Sequence, residues 1–147
     1  MTILGGYKIY IAGRMGLRCF RHDLVTNLQA VKTSPTVDWI TLYRSINYKH
    51  HYVGPYYEPE CDSGIINKCL SALDKADYMF TWLNSVDALK AYGTMVEIGY
   101  AAARGITMVT AYDEYIGDLW FSKSLAEWQI PAKNHVEGFR KFIAKLS

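Results

Sequence analysis

The sequence predicts an α/β fold in which a parallel sheet of four to five strands carries helices on both faces. Short runs rich in β-branched and aromatic residues alternate along the chain with segments whose apolar residues recur at helical spacing. One such run, 77–83 (DYMFTWL), is largely apolar, as expected of a parallel strand that is covered on both sides. The length of 147 residues fits a single domain over 1–147 with one substantial core.

The first part of the chain contains two predicted strands and one predicted helix. Residues 7–13 (YKIYIAG) form a β-rich run that ends in glycine, and they predict the first strand. Apolar residues at helical spacing predict a helix over 18–32, and 37–43 (VDWITLY) predicts the second strand. Residues 44–60 are rich in tyrosine and histidine and contain two prolines, which predicts a long loop.

The middle of the chain continues the alternation. A helix is predicted over 62–77 (DSGIINKCLSALDKAD), and the third strand follows over 77–83. A second apolar helical run extends over about 94–104, and Gly105 stands where a glycine commonly ends a helix. We therefore expect a strand, a helix and a tight turn in direct succession.

The last part of the chain completes the sheet. Residues 106–112 (ITMVTAY) predict the fourth strand, and 114–128 and 135–146 predict two closing helices. Strands that alternate with helices in this way predict a single-domain, Rossmann-like arrangement. In such sheets ligands bind outside the carboxyl ends of the strands.

Composition excludes several classes of function. A net charge of +2 gives no electrostatic case for polymeric nucleic acid or for a membrane surface. We expect neither a secretion signal nor a spanning helix, because no apolar run is long enough. The three cysteines, Cys19, Cys61 and Cys69, form no CxxC pair, which favours reduced thiols in the cytoplasm, and Cys69 suits a buried position. The adjacent His50 and His51 would point apart in an extended chain, so no metal site is expected.

The carboxyl ends of the predicted strands define one binding edge of the sheet. Four segments are expected there, at 13–15, 44–60, 82–93 and 112–118. The two glycines of 13–16 (GRMG) do not make a GxGxxG loop, so a nicotinamide cofactor is poorly supported. The candidate substrate-binding residues at this edge are Gly13, Arg14, Trp82, Gly93 and Thr94.

Residues 92–105 (YGTMVEIGYAAARG) contain one acid, Glu97, within a nearly all-apolar helical run. Thr94 precedes it by three residues, which is the spacing of a capping box and favours a structural role. Because the helix follows the third strand, Glu97 also lies near the binding edge, where a reactive role is open to it. Burial would raise the pKa of this carboxylate, whereas the helix N-terminus would lower it.

Three further side chains have both a structural and a chemical interpretation. Asp77 begins the third strand, at the end away from the binding edge, which favours a role at the exit of the preceding helix. Asp87 lies in the loop at the binding edge and is either a solvated acid or a catalytic one. Tyr10 lies inside the first strand, where core packing is the default.

Three segments together resemble the nucleoside 2-deoxyribosyltransferase superfamily, which includes nucleoside 5′-monophosphate N-glycosidases. They are 8–13 (KIYIAG), 76–83 (ADYMFTWL) and 92–109 (YGTMVEIGYAAARGITMV), in this order along the chain. The most specific piece is GTMVEIGYA, and the resemblance covers residue 8 to about residue 110.

The resemblance implies chemistry at a sugar C1′. Glu97 would attack C1′, or stabilise positive charge there, while the base departs, and Tyr10 would position the carboxylate. Asp77 is similar to a family aspartate that is tied to base recognition or protonation. Gly93 would lie near the sugar or its phosphate, and Arg14 is a candidate phosphate contact.

The resemblance also implies an enzyme without a metal or organic cofactor. A small-molecule nucleoside or nucleotide would be the partner, and a homodimer or larger homo-oligomer would complete the pocket. Trp120 and Phe121 are the candidates for that interface.

One departure from the family pattern bears on the reaction. Transferase members commonly carry an acid six residues before the glutamate, where this chain has Ala91. Asp87 is a candidate replacement at a different spacing. The change favours hydrolysis over base exchange, and it leaves open a nucleotide-binding or sensing module without turnover.

Overall fold

The computed structural model of the protein describes residues 6–13, 35–54, 62–83, 92–114 and 116–147. Within these ranges five strands form one sheet. The strands are β1 (Lys8–Ala12), β2 (His51–Val53), β3 (Tyr78–Leu83), β4 (Thr107–Tyr112) and β5 (Trp128–Pro131). They lie in the order β2–β1–β3–β4–β5, and every neighbouring pair is parallel. The carboxyl ends of all five strands therefore meet at one edge of the sheet.

Helices cover both faces of this sheet. They are α1 (Pro35–Ile46), α2 (Asp62–Asp74), α3 (Tyr92–Arg104), α4 (Trp120–Ser124) and α5 (His135–Leu146), with a 3₁₀ turn at Gly117–Leu119. Side chains of α2 and α3 pack on one face, and side chains of α1 and α5 pack on the other. The short α4 lies beside α3, where the Ser122 hydroxyl donates a hydrogen bond to the Met95 sulfur over 3.1 Å.

Successive residues of each central strand point to opposite faces, so both faces of the sheet are buried. In β1, Tyr10 lies in the core under α2 and α3, whereas Ile9 and Ile11 lie in the core under α1 and α5. In β3, Met79 faces the first core and Trp82 the second. Burial on both sides explains why these strands have the largely apolar sequences of a covered parallel sheet.

The predicted α/β fold class is confirmed, as are most of its elements. The first, third and fourth predicted strands correspond to β1, β3 and β4, and the helices predicted over 62–77, 94–104 and 135–146 correspond to α2, α3 and α5. Gly105 has a φ of +73°, the left-handed conformation in which a glycine ends a helix without strain. In the described part of the chain, no helix combines the length and the apolar character needed to cross a bilayer.

The strand predicted over 37–43 is wrong, because these residues lie within helix α1. Their β-branched and aromatic side chains favour a strand locally. However, Ile40, Tyr43 and Ile46 recur every three residues and pack together on the α1 and α5 side of the sheet. Pro35 opens the helix, at a position where its missing N–H costs nothing. Packing of one helical face therefore overrides the local strand preference.

The long loop predicted over 44–60 is also wrong in part. Its first three residues belong to α1, and 51–53 form β2 at the edge of the sheet. Tyr52 pairs with Ile9 and is buried, whereas His51 is exposed. A strand of only three residues has too short an alternation of buried and exposed side chains to stand out in the sequence.

The helix predicted over 114–128 is wrong for most of its length. The 3₁₀ turn and the five residues of α4 account for its centre, and Trp128 already belongs to β5. Pro131 is the last residue of this edge strand, a place where a missing N–H is tolerated. The helix predicted over 18–32 lies outside the described residues.

Close packing of α5 on the sheet depends on Gly138. A Cβ at this position would lie 2.4 Å from the Cβ of Ala111 on β4. We expect Gly138→Ala to lower the free energy of unfolding by about 1–3 kcal/mol, because the core has no room for the methyl group. Urea denaturation measures the change.

Gly99→Ala is the matched control for this substitution. Gly99 also lies in a helix, but a Cβ there meets no atom within 4 Å. This change should be neutral or should stabilise the protein by up to about 1 kcal/mol, since alanine favours the helix. If the two substitutions change the free energy of unfolding equally, the close contact between Gly138 and Ala111 does not exclude a methyl group.

Candidate active site

The centre of the candidate site is a hydrogen bond between a strand and a helix. The Tyr10 hydroxyl of β1 donates to Oε2 of Glu97 on α3, across a separation of 87 residues in the chain. Tyr10 is fully buried, and Glu97 is only 8% exposed. A carboxylate is rarely buried in this way unless it is paired, so the contact needs a functional or structural reason.

Glu97 is buried because of its position on α3. Thr94, Ile98 and Ala101 lie three residues before it, one after it and four after it, and all of them are buried. Residues at these spacings share one face of a helix, and this face packs on the sheet. Glu97 therefore occupies a position that an apolar residue would normally fill. Glu97 is also the one charged side chain among the buried residues of the described chain.

Burial makes the Glu97 carboxylate unusually easy to protonate. Desolvation raises its pKa from an ordinary 4.5 to about 7, and the hydrogen bond from Tyr10 acts in the opposite direction. The pKa of Tyr10 is raised well above its usual range, mainly by burial and then by the negative charge of Glu97. Tyr10 consequently keeps its proton and acts as a donor, while Glu97 exchanges its proton near neutral pH.

The pair lies just below the carboxyl edge of the sheet. Helix α3 begins at Tyr92 and runs back along the sheet between the parallel strands β3 and β4. Glu97 is five residues into this helix, or about 7.5 Å along its axis. Glu97 thus lies in the half of α3 that is nearer the predicted binding edge.

Two buried hydroxyl groups that the sequence analysis did not single out share this face of the sheet. Thr81 of β3 and Thr110 of β4 are register partners, and both are buried. Because side chains alternate along a strand, Thr81 points to the same side as Met79. A threonine within an otherwise apolar strand was the available signal for these positions.

The other predicted residues of the binding edge fall into two groups. Gly13 follows the end of β1, and Gly93 and Thr94 lie in the first turn of α3, so the structure places all three towards the carboxyl edge. Space is open beside Gly93, where a Cβ would meet no atom within 4 Å. By contrast, Trp82 packs on the opposite face of the sheet, in the core under α1 and α5, and is not brought together with Glu97.

Asp77 is separated from the Tyr10–Glu97 pair. Its Oδ2 accepts a hydrogen bond of 2.8 Å from the backbone N–H of Lys8, and its own N–H donates to the carbonyl of Lys8. These contacts lie at the amino ends of β1 and β3, away from the binding edge. The structure thus places Asp77 at the amino end of β3, as its position at the start of the predicted strand implies, and the family resemblance remains the basis of a role for it in base recognition or protonation. Asp87 and Arg14 lie outside the described residues.

The capping interpretation of Thr94 and Glu97 does not match the position of the helix start. Helix α3 begins at Tyr92, so Thr94 lies inside its first turn and not at the N-cap. The Glu97 carboxylate accepts its hydrogen bond from Tyr10 on the neighbouring strand. The acid inside the apolar run consequently points into the layer between helix and sheet.

No cluster of three or more His, Cys, Asp or Glu side chains that could hold a metal ion occurs among the described residues. His50 is engaged locally, since its Nδ1 accepts a hydrogen bond of 3.0 Å from the backbone N–H of Tyr7.

Comparison with known proteins identifies similar sequences and folds. A family described as "Nucleoside 2-deoxyribosyltransferase like" matches residues 6–115. The fold is similar to that of a CMP N-glycosidase, BcmB, from Clostridium botulinum, with a TM-score of 0.53 and 13% identity over 93% of this chain and 98% of that one. It is also similar to that of a 2-deoxyribosyltransferase from Bacillus psychrosaccharolyticus, with a TM-score of 0.54 and 15% identity over 88% of this chain and 90% of that one. No curated protein sequence matches the chain significantly.

The raised pKa of Glu97 predicts that ionisation of its carboxylate lowers the free energy of unfolding at neutral pH. The folded protein binds a proton at Glu97 up to about pH 7, whereas the unfolded chain loses it near 4.5. The free energy of unfolding should therefore fall as the pH rises between these values, by about 3 kcal/mol in total. Glu97→Gln removes this ionisation, so the free energy of unfolding of the variant should not show this fall. Its stability relative to the unmodified protein should therefore increase by that amount between pH 4 and pH 8.

Urea denaturation across this pH range measures the difference. Glu114→Gln serves as the control, because Glu114 is exposed and its substitution should leave the pH dependence unchanged. If the free energies of unfolding of the Glu97→Gln variant and the unmodified protein differ by the same amount at every pH, the buried carboxylate has an ordinary pKa.

Proposed function

The chain belongs to the nucleoside 2-deoxyribosyltransferase-like family, and from this premise we propose that it cleaves the N-glycosidic bond of a nucleoside or nucleotide, by hydrolysis in preference to base exchange. The observation that carries the proposal is the buried hydrogen bond between Tyr10 and Glu97. Membership of the family supports the class of reaction, and the geometry of this pair supports Glu97 as the residue that acts.

Glu97 is the proposed nucleophile. Its ionised carboxylate attacks C1′, a C–O bond forms as the C1′–N bond breaks, and the bonding electrons leave with the base, which takes up a proton. A water molecule then attacks C1′ and gives up one proton to solvent or to the acid that protonated the base, the bond from C1′ to the Glu97 oxygen breaks, and Glu97 returns as a carboxylate. With a pKa of about 7, a substantial fraction of Glu97 is ionised at neutral pH. Tyr10 donates to one carboxylate oxygen and leaves the other free to face C1′.

The remainder of the proposed site lies towards the carboxyl edge. Gly13, Gly93 and Thr94 lie on the side from which a sugar would approach Glu97, and a Cβ at Gly93 would meet no described atom within 4 Å. Arg14 stays the proposed phosphate contact. Asp87 is the proposed proton source for the leaving base, because Asp77 is engaged with Lys8 at the other end of the strands.

Hydrolysis is favoured over transfer by the residue at position 91. Transferase members of the family commonly carry an acid six residues before the glutamate, where this chain has Ala91. We infer that the loss of this acid weakens base exchange and leaves water as the acceptor.

A panel of nucleosides, nucleotides and dinucleotides tests the proposal, with free base measured by chromatography. We expect base release from at least one member, and a loss of about a thousandfold or more in Glu97→Ala, because the nucleophile is absent. A second free base added to the reaction should not yield an exchanged nucleoside. Glu127→Gln, which removes an exposed negative charge at the amino end of β5 and keeps an oxygen acceptor there, is the control and should retain full activity.

Two outcomes would contradict the proposal. Equal base release from the Glu97→Ala variant would assign the nucleophile elsewhere. Tight binding of a nucleotide without release from any compound would favour the sensing module.

We also propose that a second copy of the chain covers an exposed apolar surface beside the site. Trp120 and Phe121 on α4 are 59% and 62% exposed, and Val96, the neighbour of Glu97 on α3, is 65% exposed. Helices α3 and α4 contact each other, so these side chains lie on adjoining elements. Large aromatic residues in such a position are typical of interfaces.

Sedimentation velocity tests this interface. We expect a homodimer or larger assembly that dissociates when Trp120 and Phe121 are both replaced by serine, because the apolar contact area is lost. Ile66→Ser, on α2, removes another exposed apolar side chain and should leave the assembly intact. A monomer at all concentrations in the unmodified protein would refute the proposal.

A further inference from the structure

We propose that His50 is an acid-sensitive latch: its neutral imidazole holds the start of β1 against the turn before β2, and protonation of the ring releases this contact and loosens the edge of the sheet. The inference is independent of the reaction proposed for Glu97. It assigns a conformational role to one member of a histidine pair for which the sequence predicts no metal site.

The latch is a hydrogen bond from a backbone N–H to an imidazole nitrogen. The Tyr7 N–H donates to Nδ1 of His50 over 3.0 Å, although 43 positions separate the two residues in the chain. The next residue completes the contact, because the His51 N–H donates to the Tyr7 carbonyl over 2.7 Å. Two successive histidines therefore engage both backbone groups of Tyr7, directly before the register pair of Lys8 and His51 with which β1 and β2 begin.

The backbone before β1 lies directly on the turn that contains His50. Gly6 has a φ of +80°, the left-handed conformation that a glycine adopts without strain. A Cβ at this position would lie 2.8 Å from Nδ1 of His50 and still closer to the carbonyl oxygen of Lys49. The turn itself is shaped by the Lys49 N–H, which donates to Oδ1 of Asn47 over 2.9 Å. The contact is thus a close fit between two ordered backbone segments.

The direction of the hydrogen bond fixes the protonation state of the ring. A backbone N–H can only donate, so Nδ1 of His50 must present its lone pair, and the proton of the neutral ring is on Nε2. A protonated imidazole carries hydrogens on both nitrogens and has no acceptor to offer. Proton binding would therefore place two N–H groups against each other. The Tyr7 N–H must then find water as its acceptor, which requires the two segments to separate.

The surroundings of His50 favour the neutral ring at neutral pH. Burial lowers the pKa of His50 below its ordinary 6.5, and the positive charges of Lys49 and His51 act in the same direction. The rings of Tyr7 and Tyr52 lie against it, with centroids 5.5 and 6.4 Å away, and carry no charge in the pH range in which histidine titrates. Among the described residues, no acid acts on this ring to favour the imidazolium. The hydrogen bond is therefore present at neutral pH and is lost on acidification.

Release of the latch affects one side of the sheet. Strand β2 has three residues and pairs on one side only, with β1. Few hydrogen bonds hold so short an edge strand, so loss of the contact beside its first pair should make it open more often. Opening leaves the outer edge of β1, the strand that carries Tyr10, without a partner. Strands β3 and β4 lie on the other side of β1 and stay paired.

Hydrogen exchange of the Tyr7 amide, followed by NMR on the full chain at about pH 7.5 and about pH 5, tests the inference. We expect the protection factor of this amide to fall by about 3- to 10-fold in acid, which corresponds to the loss of one hydrogen bond. The Asp77 amide donates to the Lys8 carbonyl from β1's other neighbour and should keep its protection. Comparison of the two amides separates a local release from a general loss of stability.

Three variants separate the latch from other effects of pH. In His50→Asn, Oδ1 takes the place of Nδ1 as an acceptor that does not titrate, so protection of the Tyr7 amide should be equal at both pH values. His50→Ala removes the acceptor, and protection should be low at both. His51→Asn is the matched control, because it removes the neighbouring imidazole and keeps the latch. Acid should still lower the protection in this variant, at a slightly higher pH, since one positive charge that lowers the pKa of His50 is gone.

Titration of the His50 ring by NMR provides the second measurement. Its signal is identified by its absence in His50→Asn, and its midpoint should lie below pH 6.5, in the range over which the Tyr7 amide loses protection. If protection of the Tyr7 amide in the unmodified protein depends on pH no more than in His50→Asn, the inference is wrong. It is equally wrong if His50→Ala protects this amide as well as the unmodified protein does. Base release is not part of either measurement, so failure of the reaction proposed for Glu97 leaves this test unaffected.

Discussion

A hydrogen bond between a phenol and a carboxylate, buried between sheet and helix, is the interaction around which this site is built. It joins β1 to α3, and it therefore depends on two separate parts of the fold. The pairing of β1 with β3 sets the position of Tyr10 across the sheet, and the crossover from β3 to β4 brings α3 back over the same face. Neither residue reaches the other by local structure alone, since 87 residues separate them.

The same interaction explains why the site opposes stability. An ionised carboxylate loses its hydration when it enters this layer, and one hydrogen bond from a neutral donor replaces only part of it. The apolar neighbours of Glu97 on α3 stabilise the fold because their apolar surface is buried. Glu97 occupies a position in the same core but does not contribute this stabilisation. The nucleophilic role that we propose for Glu97 fits a pKa near 7, because such a carboxylate is both desolvated and partly ionised at neutral pH.

Elements with a long, covered pattern could be predicted from the sequence, and short edge elements could not. Strands β1, β3 and β4 show the apolar runs of a doubly covered sheet, and α5 shows an amphipathic period over its full length. Strand β2 has three residues and β5 has four, so neither is long enough for a period to emerge. Helix α1 was hidden for a different reason: its β-branched residues favour a strand, and only the packing of Tyr43 and its neighbours on the sheet selects a helix.

In the candidate site, too, some residues could be predicted from the sequence and others could not. Glu97 could be found because an acid within an apolar helical run is visible in the sequence, and Tyr10 could be assigned a role only through the resemblance to a family. Which face a strand residue occupies was not visible. Trp82 ends on the opposite side of the sheet from Glu97, while Thr81, its neighbour in the chain, lies on the same side as Glu97. Adjacent residues of a strand lie on opposite faces of the sheet. In an apolar strand that is buried on both sides, polar and apolar residues do not alternate, so the sequence does not show which face each residue occupies.

The arrangement of faces also constrains how a substrate would meet the proposed nucleophile, Glu97. The layer between the sheet and α3 contains Glu97 together with the hydroxyl-bearing side chains of Thr81 and Thr110, which are neighbours across β3 and β4. The opposite layer is filled by stacked aromatic rings, among them Tyr43 on Phe139 with centroids 4.0 Å apart. Among the described residues, the hydroxyl groups of Thr81 and Thr110 are the ones that lie in the same layer as Glu97 on neighbouring strands, where they could serve a polar sugar as hydrogen-bond partners. The aromatic residues of this chain, although numerous, therefore serve the described fold mainly as core, and polar contacts to a sugar are to be sought from alternate residues of β3 and β4 on the side of Glu97.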